Sequence, residues 1–395
     1  MDAMEMDTDN SEAVRNLELN ESSRSSTSTM TAAQTISAVN VTNSESYTPL
    51  DEVALYDRQI RLWGMEAQLR MRNSKILLIT MRGLANEVAK NLVLAGIGSL
   101  TVMDPEVVEE DDLGASFFFS EEHVGQNRAE AALPAIQALN PRVPCHASIE
   151  SPLTASASFY SSFSLIIATD LLLPTLLHLN QITRSHSIPF YAAATYGLYG
   201  FIFADLLVHS YVLKRIKSNV ATRLGPESRT RSIISTRETQ EGETRLEHVT
   251  KQETFCPLSE ALSSMVDSSW PLRRKKKLPS VLPGIMAMLQ FTAIHNRLPD
   301  PDVTREDLKE FVRIITPETE RMGLPVELNE VGFMRSFLQN ATAELSPVAA
   351  ILGGVLAQDA INVLAKTEQP VGNFCVFDGE IGVAPIVVLA AQEEE

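Results

Sequence analysis

A short apolar strand followed by a glycine turn and a helix limits the fold of this chain more than any other feature of its sequence. Residues 75–80 read Lys-Ile-Leu-Leu-Ile-Thr, an apolar run typical of a buried parallel strand. A turn at Gly83 and a helical pattern over 84–95 follow, and a second apolar run over 99–104 ends in Asp104. This order predicts a strand–helix–strand unit, from which parallel sheets are built.

The same alternation continues beyond this unit. Helical stretches separate most of the further apolar runs, which we interpret as strands at 164–170, 189–194, 200–214, 373–378 and 381–389. Alternating strands and helices predict a Rossmann-like, doubly wound α/β fold with a mainly parallel sheet.

The middle of the chain departs from this pattern. Residues 218–247 are polar and charged and have no apolar periodicity, which indicates a long surface loop or an inserted element. We therefore predict one domain over residues 49–395, with a loop or helical insertion at about 214–345.

A long apolar helix is predicted to begin near residue 346 and to reach about residue 366. Ser346 suits the N-cap, and Pro347 suits the first helical position, where no backbone N–H is needed. The pair Gly353 and Gly354 lowers helix propensity, so we expect close backbone packing at that point.

The charge of the chain is unevenly distributed. The formal net charge is −17, of which residues 1–52 carry −8 and the remainder −9. Residues 1–48 are rich in Ser, Thr, Asn and acids and hold few large apolar groups, which predicts a disordered tail. The acidic balance argues against nucleic acid or anionic lipid as a partner. No apolar run of about 18 residues and no signal-peptide pattern is present, so we predict no membrane partner.

The three cysteines, Cys145, Cys256 and Cys375, are scattered without a CxxC pair, which indicates a reducing compartment and predicts no metal site. Cys256 has no neighbouring base that would activate a thiolate. We interpret it as a structural or surface thiol.

The turn after the first strand lacks most features of a phosphate-binding loop. Such a loop uses three glycines, but Thr80 and Arg82 stand at the first two glycine positions and Ala85 at the third; Gly83 is the glycine that remains. A side chain at position 82 occupies space through which backbone N–H groups would approach a phosphate. The prediction is a nucleotide-binding fold that binds no nucleotide, with Asp104 as a strand-end acid. An NAD-dependent oxidoreductase is the alternative that the strand, turn and helix leave open.

Several segments of the chain resemble the ubiquitin-activating enzyme family, whose fold is that of the ThiF and MoeB proteins. The residues 56–64, Tyr-Asp-Arg-Gln-Ile-Arg-Leu-Trp-Gly, are similar to the opening signature of that family. Further similar segments lie at 83–96, 124–130, 255–257, 346–358 and 377–379. Together they resemble the smaller, non-catalytic subunits of heterodimeric SUMO-activating enzymes over about residues 50–390.

This resemblance implies a division of labour between two subunits. A catalytic subunit of the SUMO-activating enzyme would carry ATP, magnesium and the thioester-forming cysteine, and the pair would act on SUMO. This chain would lend Arg58 to the partner's ATP site, with support from Arg61. Asp104 and Asp170 match two acids of the family's nucleotide site, but Arg128 replaces its lysine and residues 114–117 lack its arginine. The corresponding subunit of the NEDD8-activating enzyme is the alternative, although that subunit is typically longer.

A compact basic cluster, Arg-Arg-Lys-Lys-Lys at residues 273–277, lies between Pro271 and Pro279. It suits a nuclear import signal, and a solvated run of charges on a loop fits it equally well. With the expected partners, it predicts a nuclear protein that is also present in the cytoplasm.

Overall fold

The computed structural model describes residues 55–390 in two units, the first ending at Leu69 and the second beginning at Arg70. The predicted disordered tail at 1–48 lies outside the described residues. The helices, in chain order, are α1 Asp57–Trp63, α2 Met65–Arg72, α3 Gly83–Ala95, α4 Arg128–Leu139, α5 Ala157–Tyr160, α6 Leu173–Ser185, α7 Leu258–Ser263, α8 Leu272–Lys275, α9 Val281–His295, α10 Arg305–Arg321, α11 Val331–Gln339 and α12 Ser346–Ala365.

The strands of the second unit form two sheets. They are β1 Lys75–Ile79, β2 Ser99–Met103, β3 Cys145–Ser148, β4 Leu165–Thr169, β5 Phe190–Tyr196, β6 Tyr199–Asp205, β7 Val208–Ile216, β8 Gly225–Pro226, β9 Arg231–Glu241, β10 Thr244–Thr254, β11 Phe374–Asp378 and β12 Ile386–Val387. The larger sheet has the order β12-β11-β6-β5-β4-β1-β2-β3, and the smaller has the order β7-β10-β9-β8.

The larger sheet confirms the predicted doubly wound fold. Strands β3, β2, β1, β4 and β5 are parallel neighbours, whereas β6, β11 and β12 join antiparallel at one edge. Strand β1 is the first in sequence and has β2 on one side and β4 on the other. The strand order therefore reverses at β1, and in such sheets the crevice at the reversal point is where ligands bind.

Residues 218–247 form an inserted element, as one of the two predicted alternatives has it, and the alternative of a long surface loop is wrong. Most of this segment belongs to the hairpin of β9 and β10, which turns at Gly242 with a positive φ of 60°. Cross-strand ion pairs link Arg215 to Glu247 at 3.0 Å and Arg231 to Glu253 at 3.0 Å. Because opposite charges on adjacent strands stabilise this sheet, its sequence lacks the apolar alternation by which strands are recognised.

The single strand predicted over 200–214 is two strands, β6 and β7, in different sheets. Leu207 lies between them with a φ of 60°, in the left-handed region, so the extended backbone is interrupted there. Near the C-terminus, the sequence predicts a strand over 381–389, but only the two residues of β12, directly after Pro385, form one. Pro385 has no backbone N–H to give to a strand ladder.

Helix α12 packs against α3 in the second unit. A Cβ on Gly353 would lie 2.6 Å from the Cβ of Glu87, which confirms the predicted close packing, whereas a Cβ on Gly354 would meet no atom within 4 Å. The N-cap is Leu345 rather than Ser346, whose hydroxyl donates to the carbonyl of Gly114 at 3.2 Å. Among residues 55–390, α12 alone has the length and apolar content of a membrane span, and 61% of that apolar stretch is buried, as in a core helix.

A broad apolar core lies between the larger sheet and the helices of the insertion. The rings of Phe201 and Phe374 stack on neighbouring strands with centroids 5.4 Å apart, and Phe337 of α11 packs against Tyr199 at 5.3 Å. This core fixes the strands whose carboxyl ends carry the predicted site residues.

Candidate functional site: a filled nucleotide pocket and an exposed arginine

Three predicted site residues follow three neighbouring strands. Thr80 comes directly after β1, Asp104 after β2 and Asp170 after β4. Because these strands are parallel, the three residues lie at the same edge of the sheet, at the point where the strand order reverses. The structure thus brings the remnants of the nucleotide-binding pattern together.

The backbone after β1 keeps the course of a glycine turn although two glycines are missing. Thr80 has a φ of 73°, a left-handed conformation that glycine adopts more readily than threonine. The backbone N–H of Met81 donates to Asp104 Oδ2 at 2.8 Å, and that of Glu106 donates to Asp104 Oδ1 at 2.9 Å. Both carboxylate oxygens of Asp104 therefore hold turn backbone, in agreement with our interpretation of this residue as a strand-end acid.

Arg82 lies at the N-cap of α3 and forms an ion pair with Glu344 through its Nε. The other oxygen of Glu344, Oε2, accepts the backbone N–H of Gly83 at 2.8 Å. Burial alone would lower the pKa of Arg82, but the negative charges of Glu344, Asp170 and Asp112 raise it above its usual value. Arg82 thus serves as counter-ion to carboxylates of its own chain.

Arg128, which stands where the resembling family has a lysine, is also neutralised within the chain. Its Nε donates to Asp112 Oδ2 at 2.7 Å, and both side chains are buried. The second oxygen of Asp112 lies 3.7 Å from Arg82 Nε. One buried carboxylate therefore lies close to both arginines of the pocket.

Asp170 has one oxygen without a partner. Its Oδ1 accepts the backbone N–H of Thr195 at 3.0 Å, whereas the buried Oδ2 has no hydrogen bond. Burial, reinforced by the negative charge of Glu344, raises the pKa of Asp170 to about 7. This carboxyl therefore takes up a proton close to neutral pH.

The space left between these groups is small. A cavity of about 30 Å³ is lined by Arg82, Asp170, Thr195, Tyr196 and Glu344, among other residues. Ligand pockets for drug-sized molecules span about 300–1,000 Å³, roughly ten times more or larger. The carboxylates of Asp170 and Glu344 line this cavity and would repel a triphosphate.

Glu344 and Asp112 are two acids beside Arg82 that sequence reasoning missed. Glu344 is 261 residues away from Gly83 along the chain, and it belongs to no motif. Asp112 lies in an acidic run, where it is indistinguishable by pattern from Glu110 and Asp111. Their roles depend on tertiary contacts that no local spacing records.

All three cysteines lie among the described residues, and burial raises the pKa of each thiol to about 11. Cys256 donates its S–H to the carbonyl of Leu389 at 3.1 Å. Thiols with raised pKa values are poor nucleophiles at neutral pH. This agrees with the interpretation of Cys256 as a structural residue.

In the first unit, Arg58 and Arg61 occupy the short helix α1 and are both exposed. Arg61 Nε pairs with Asp57 Oδ2 at 3.0 Å, one helical turn away. The guanidinium of Arg58 has no hydrogen bond or salt bridge to any residue within 55–390. Arg58 therefore presents an exposed cation at the surface of α1.

Comparison with known proteins identifies the relatives of this chain. The ThiF family matches residues 56–388. SUMO-activating enzyme subunit 1 of Xenopus laevis is 37% identical over 333 residues, which cover 84% of this chain and 93% of that protein. The human protein of the same name is 34% identical over 335 residues, which cover 84% of this chain and 93% of that protein. The DNA damage tolerance protein RHC31 of Saccharomyces cerevisiae is 36% identical over 333 residues, which cover 83% of this chain and 94% of that protein.

Proposed function

Because this chain belongs to the ThiF family, we propose that it is the smaller subunit of a heterodimeric SUMO-activating enzyme. The observation that carries this proposal is 34–37% identity to SUMO-activating enzyme subunit 1 over almost the whole of those proteins. The same observation favours SUMO over NEDD8 as the protein that is activated.

The proposed division of labour follows from the state of the pocket. In this chain Glu344 accepts the backbone N–H of Gly83, a group that would face a phosphate in an intact loop, and the cavity beside it is about 30 Å³. Such a pocket does not support ATP chemistry, so ATP and magnesium belong to the second, catalytic subunit. That subunit also carries the cysteine that forms the thioester with SUMO.

Arg58 is the residue that this chain contributes to the reaction. Its guanidinium is exposed and has no salt bridge within the described residues, so it is available to donate hydrogen bonds to a phosphate oxygen in the partner's site. There it stabilises the negative charge that develops when the C-terminal carboxylate of SUMO attacks the α-phosphate. Arg61 supports this role from the same side of α1.

Isotope exchange between ATP and pyrophosphate tests this proposal. We expect no exchange from the isolated chain with SUMO, because its own pocket is filled. Adding the catalytic subunit should produce rapid, SUMO-dependent exchange. Exchange by the isolated chain, or an equal rate from the catalytic subunit alone, would contradict the proposed division of labour.

A nuclear location is a separate part of the proposal. Four of the five basic residues at 273–277 are exposed, and none has a salt bridge within 55–390. The Arg274 guanidinium stacks 3.4 Å above the centre of the Trp270 ring. Neutralising all five should move a fluorescent fusion to the cytoplasm. Neutralising Lys214, Arg215 and Lys217, whose charges are paired with acids, is the matched control.

A further inference from the structure

Glu344 occupies the position where a bound anion would lie at the start of α3. We propose that its carboxylate is a built-in plug in a latent oxyanion site, and that the same groups bind an inorganic phosphate-type anion once this carboxylate is removed. This inference concerns the closed pocket itself and does not depend on the proposed SUMO-activating function.

The groups that hold the carboxylate are those that would hold a free anion. Gly83 donates its backbone N–H to Glu344 Oε2 at 2.8 Å, and Arg82 pairs with Oε1. Helix α3 is 13 residues long and has no side-chain cap at its first residue. Its N-terminal N–H groups and its dipole therefore favour a negative charge at this point.

The close approach of the carboxylate depends on Gly83. A Cβ added there would lie 2.8 Å from Glu344 Oε2 and 2.9 Å from the Cβ of Ala115. The one glycine retained in the degraded turn is therefore the one that lets an oxygen reach the backbone N–H. Removing the Glu344 side chain would join its volume to the neighbouring cavity, which Arg82 and Thr342 also line.

The surrounding charges leave Arg82 available once Glu344 is gone. Asp112 is held by Arg128 Nε at 2.7 Å and stays 3.7 Å from Arg82. Asp170 accepts the backbone N–H of Thr195 through Oδ1, its Oδ2 has no hydrogen bond to Arg82, and burial raises its pKa. A phosphate-type anion would then replace Glu344 as the counter-ion of Arg82.

The plug also ties distant parts of the second unit together. Glu344 stands one residue before Leu345, the N-cap of α12, and Ser346 bonds to the carbonyl of Gly114. The first turn after β1 and the beginning of the last helix are thus joined through one carboxylate. The chain itself supplies the charge that a ligand would otherwise bring to this turn.

Inorganic phosphate is the probe, and the full chain carrying Glu344→Ala is the variant. Phosphorus NMR and thermal unfolding at increasing phosphate should show binding about tenfold tighter than to the parent, the change expected from one charge-assisted hydrogen bond. Adding Arg82→Met should abolish this gain. Glu318→Ala, which removes a glutamate paired with Arg321, is the matched control and should bind phosphate as the parent does. Equal binding by Glu344→Ala and the parent would overturn the proposal.

A second variant covers the case in which the alanine protein does not fold. Glu344→Gln keeps the shape of the side chain and opens no cavity, but it brings no negative charge to Arg82. Its denaturation midpoint should fall below that of the parent, whereas Glu318→Gln should change the midpoint much less. If Glu344→Gln is as stable as the parent, no anion is needed at the turn and the proposal is wrong. These measurements use no partner, so their failure leaves the SUMO-activating proposal untouched.

Discussion

Two arginines of this chain show how burial decides what a cation is able to do. Arg82, in the second unit, is surrounded by Glu344, Asp112 and Asp170, and its side chain is 29% exposed. Arg58, in the first unit, is exposed on a seven-residue helix and has no salt bridge within 55–390. Both carry the same charge, but only the second is free to meet a ligand.

The comparison separates the location of a motif from its activity. The pocket with Arg82 lies at the carboxyl ends of the parallel strands, where ligands bind in such sheets, and Glu344 of the chain itself supplies the negative charge beside Arg82. Arg58 belongs to the first unit, on a seven-residue helix with no buried residue. A fold-level match therefore identifies the site, whereas the charge balance of the individual residues decides whether it works.

Replacing Arg82 with Met should give the largest effect, and it should fall on stability. The substitution leaves Glu344 and Asp112 without this counter-ion. Removing one partner of a buried ion pair costs about 3–5 kcal/mol, and we expect about 3 kcal/mol because Arg82 is partly exposed. Urea denaturation, with an unchanged slope, would measure this loss.

An exposed arginine provides the control for this experiment. Arg313 pairs with Glu310 on the surface of α10, and its side chain is 71% exposed. Arg313→Met should change the midpoint far less than Arg82→Met does. Equal effects of the two variants would mean that Arg82 is not a buried counter-ion. The folded fraction of the Arg82→Met complex should retain full exchange activity.

Replacing Arg58 with Ala should reverse this pattern, with lost activity and unchanged stability. Removal of one charge-stabilising donor lowers a rate by about 10²-fold, which corresponds to about 2.7 kcal/mol. Exchange between ATP and pyrophosphate in the assembled complex would measure the effect, and size-exclusion chromatography would show that the dimer still forms.

Arg58→Lys is the informative companion variant. It retains the positive charge but loses the planar pair of donors, so its rate should lie between those of the parent and the alanine variant. Full activity in the alanine complex would favour a purely structural role for this chain. That result would not change the description of the pocket around Arg82.

The strand and helix pattern was sufficient to predict the parallel part of the fold. The predicted boundaries of β1, β2, β4 and α3 agree with the structure to within one residue at each end. These elements are buried, so their apolar runs and glycine turns reflect the environment directly. The missing glycines at Thr80 and Arg82 predict in addition that the pocket is closed to nucleotide, and this stays a prediction.

The contacts that close the pocket were not predictable from sequence. Glu344 reaches Gly83 from 261 residues away, and the hairpin of β9 and β10 is stabilised by ion pairs such as Arg231 with Glu253. Neither feature leaves a periodic apolar pattern. Both depend on the pairing of single charges across the fold, which local propensity does not record.

The pH dependence of stability provides an intermediate test of the pocket. The pKa of Asp170 is raised to about 7 in the folded chain by burial and by Glu344. The folded state therefore binds a proton more tightly than the unfolded state. The stabilisation that protonated Asp170 adds to the free energy of unfolding is complete below about pH 4 and is lost as pH rises towards 7. Asp170→Asn should remove this pH dependence. From pH 5 to pH 8, the free energy of unfolding of the parent should therefore fall by about 2 kcal/mol relative to that of the variant.

Urea midpoints at pH 5 and pH 8 would measure this difference. Asp302→Asn, at an exposed position, is the control and should follow the parent at both pH values. If Asp170→Asn keeps the pH dependence of the parent, the carboxyl is not protonated near neutrality. The pH dependence of the parent would then arise from other titratable groups.

The smallest expected effect distinguishes Arg58 from its neighbour Arg61. Arg61 is 69% exposed and pairs with Asp57 at 3.0 Å, an arrangement with the acid one turn towards the N-terminus that stabilises a helix by about 0.3–0.5 kcal/mol. Arg61→Ala should therefore reduce exchange by at most about threefold if it acts through the positioning of α1. High salt should diminish the difference, because the pair is solvent-exposed. A loss of exchange activity as large as that of Arg58→Ala would indicate that Arg61 also contacts the partner's nucleotide directly. The comparison would then be between the buried Arg82 and two exposed arginines, Arg58 and Arg61.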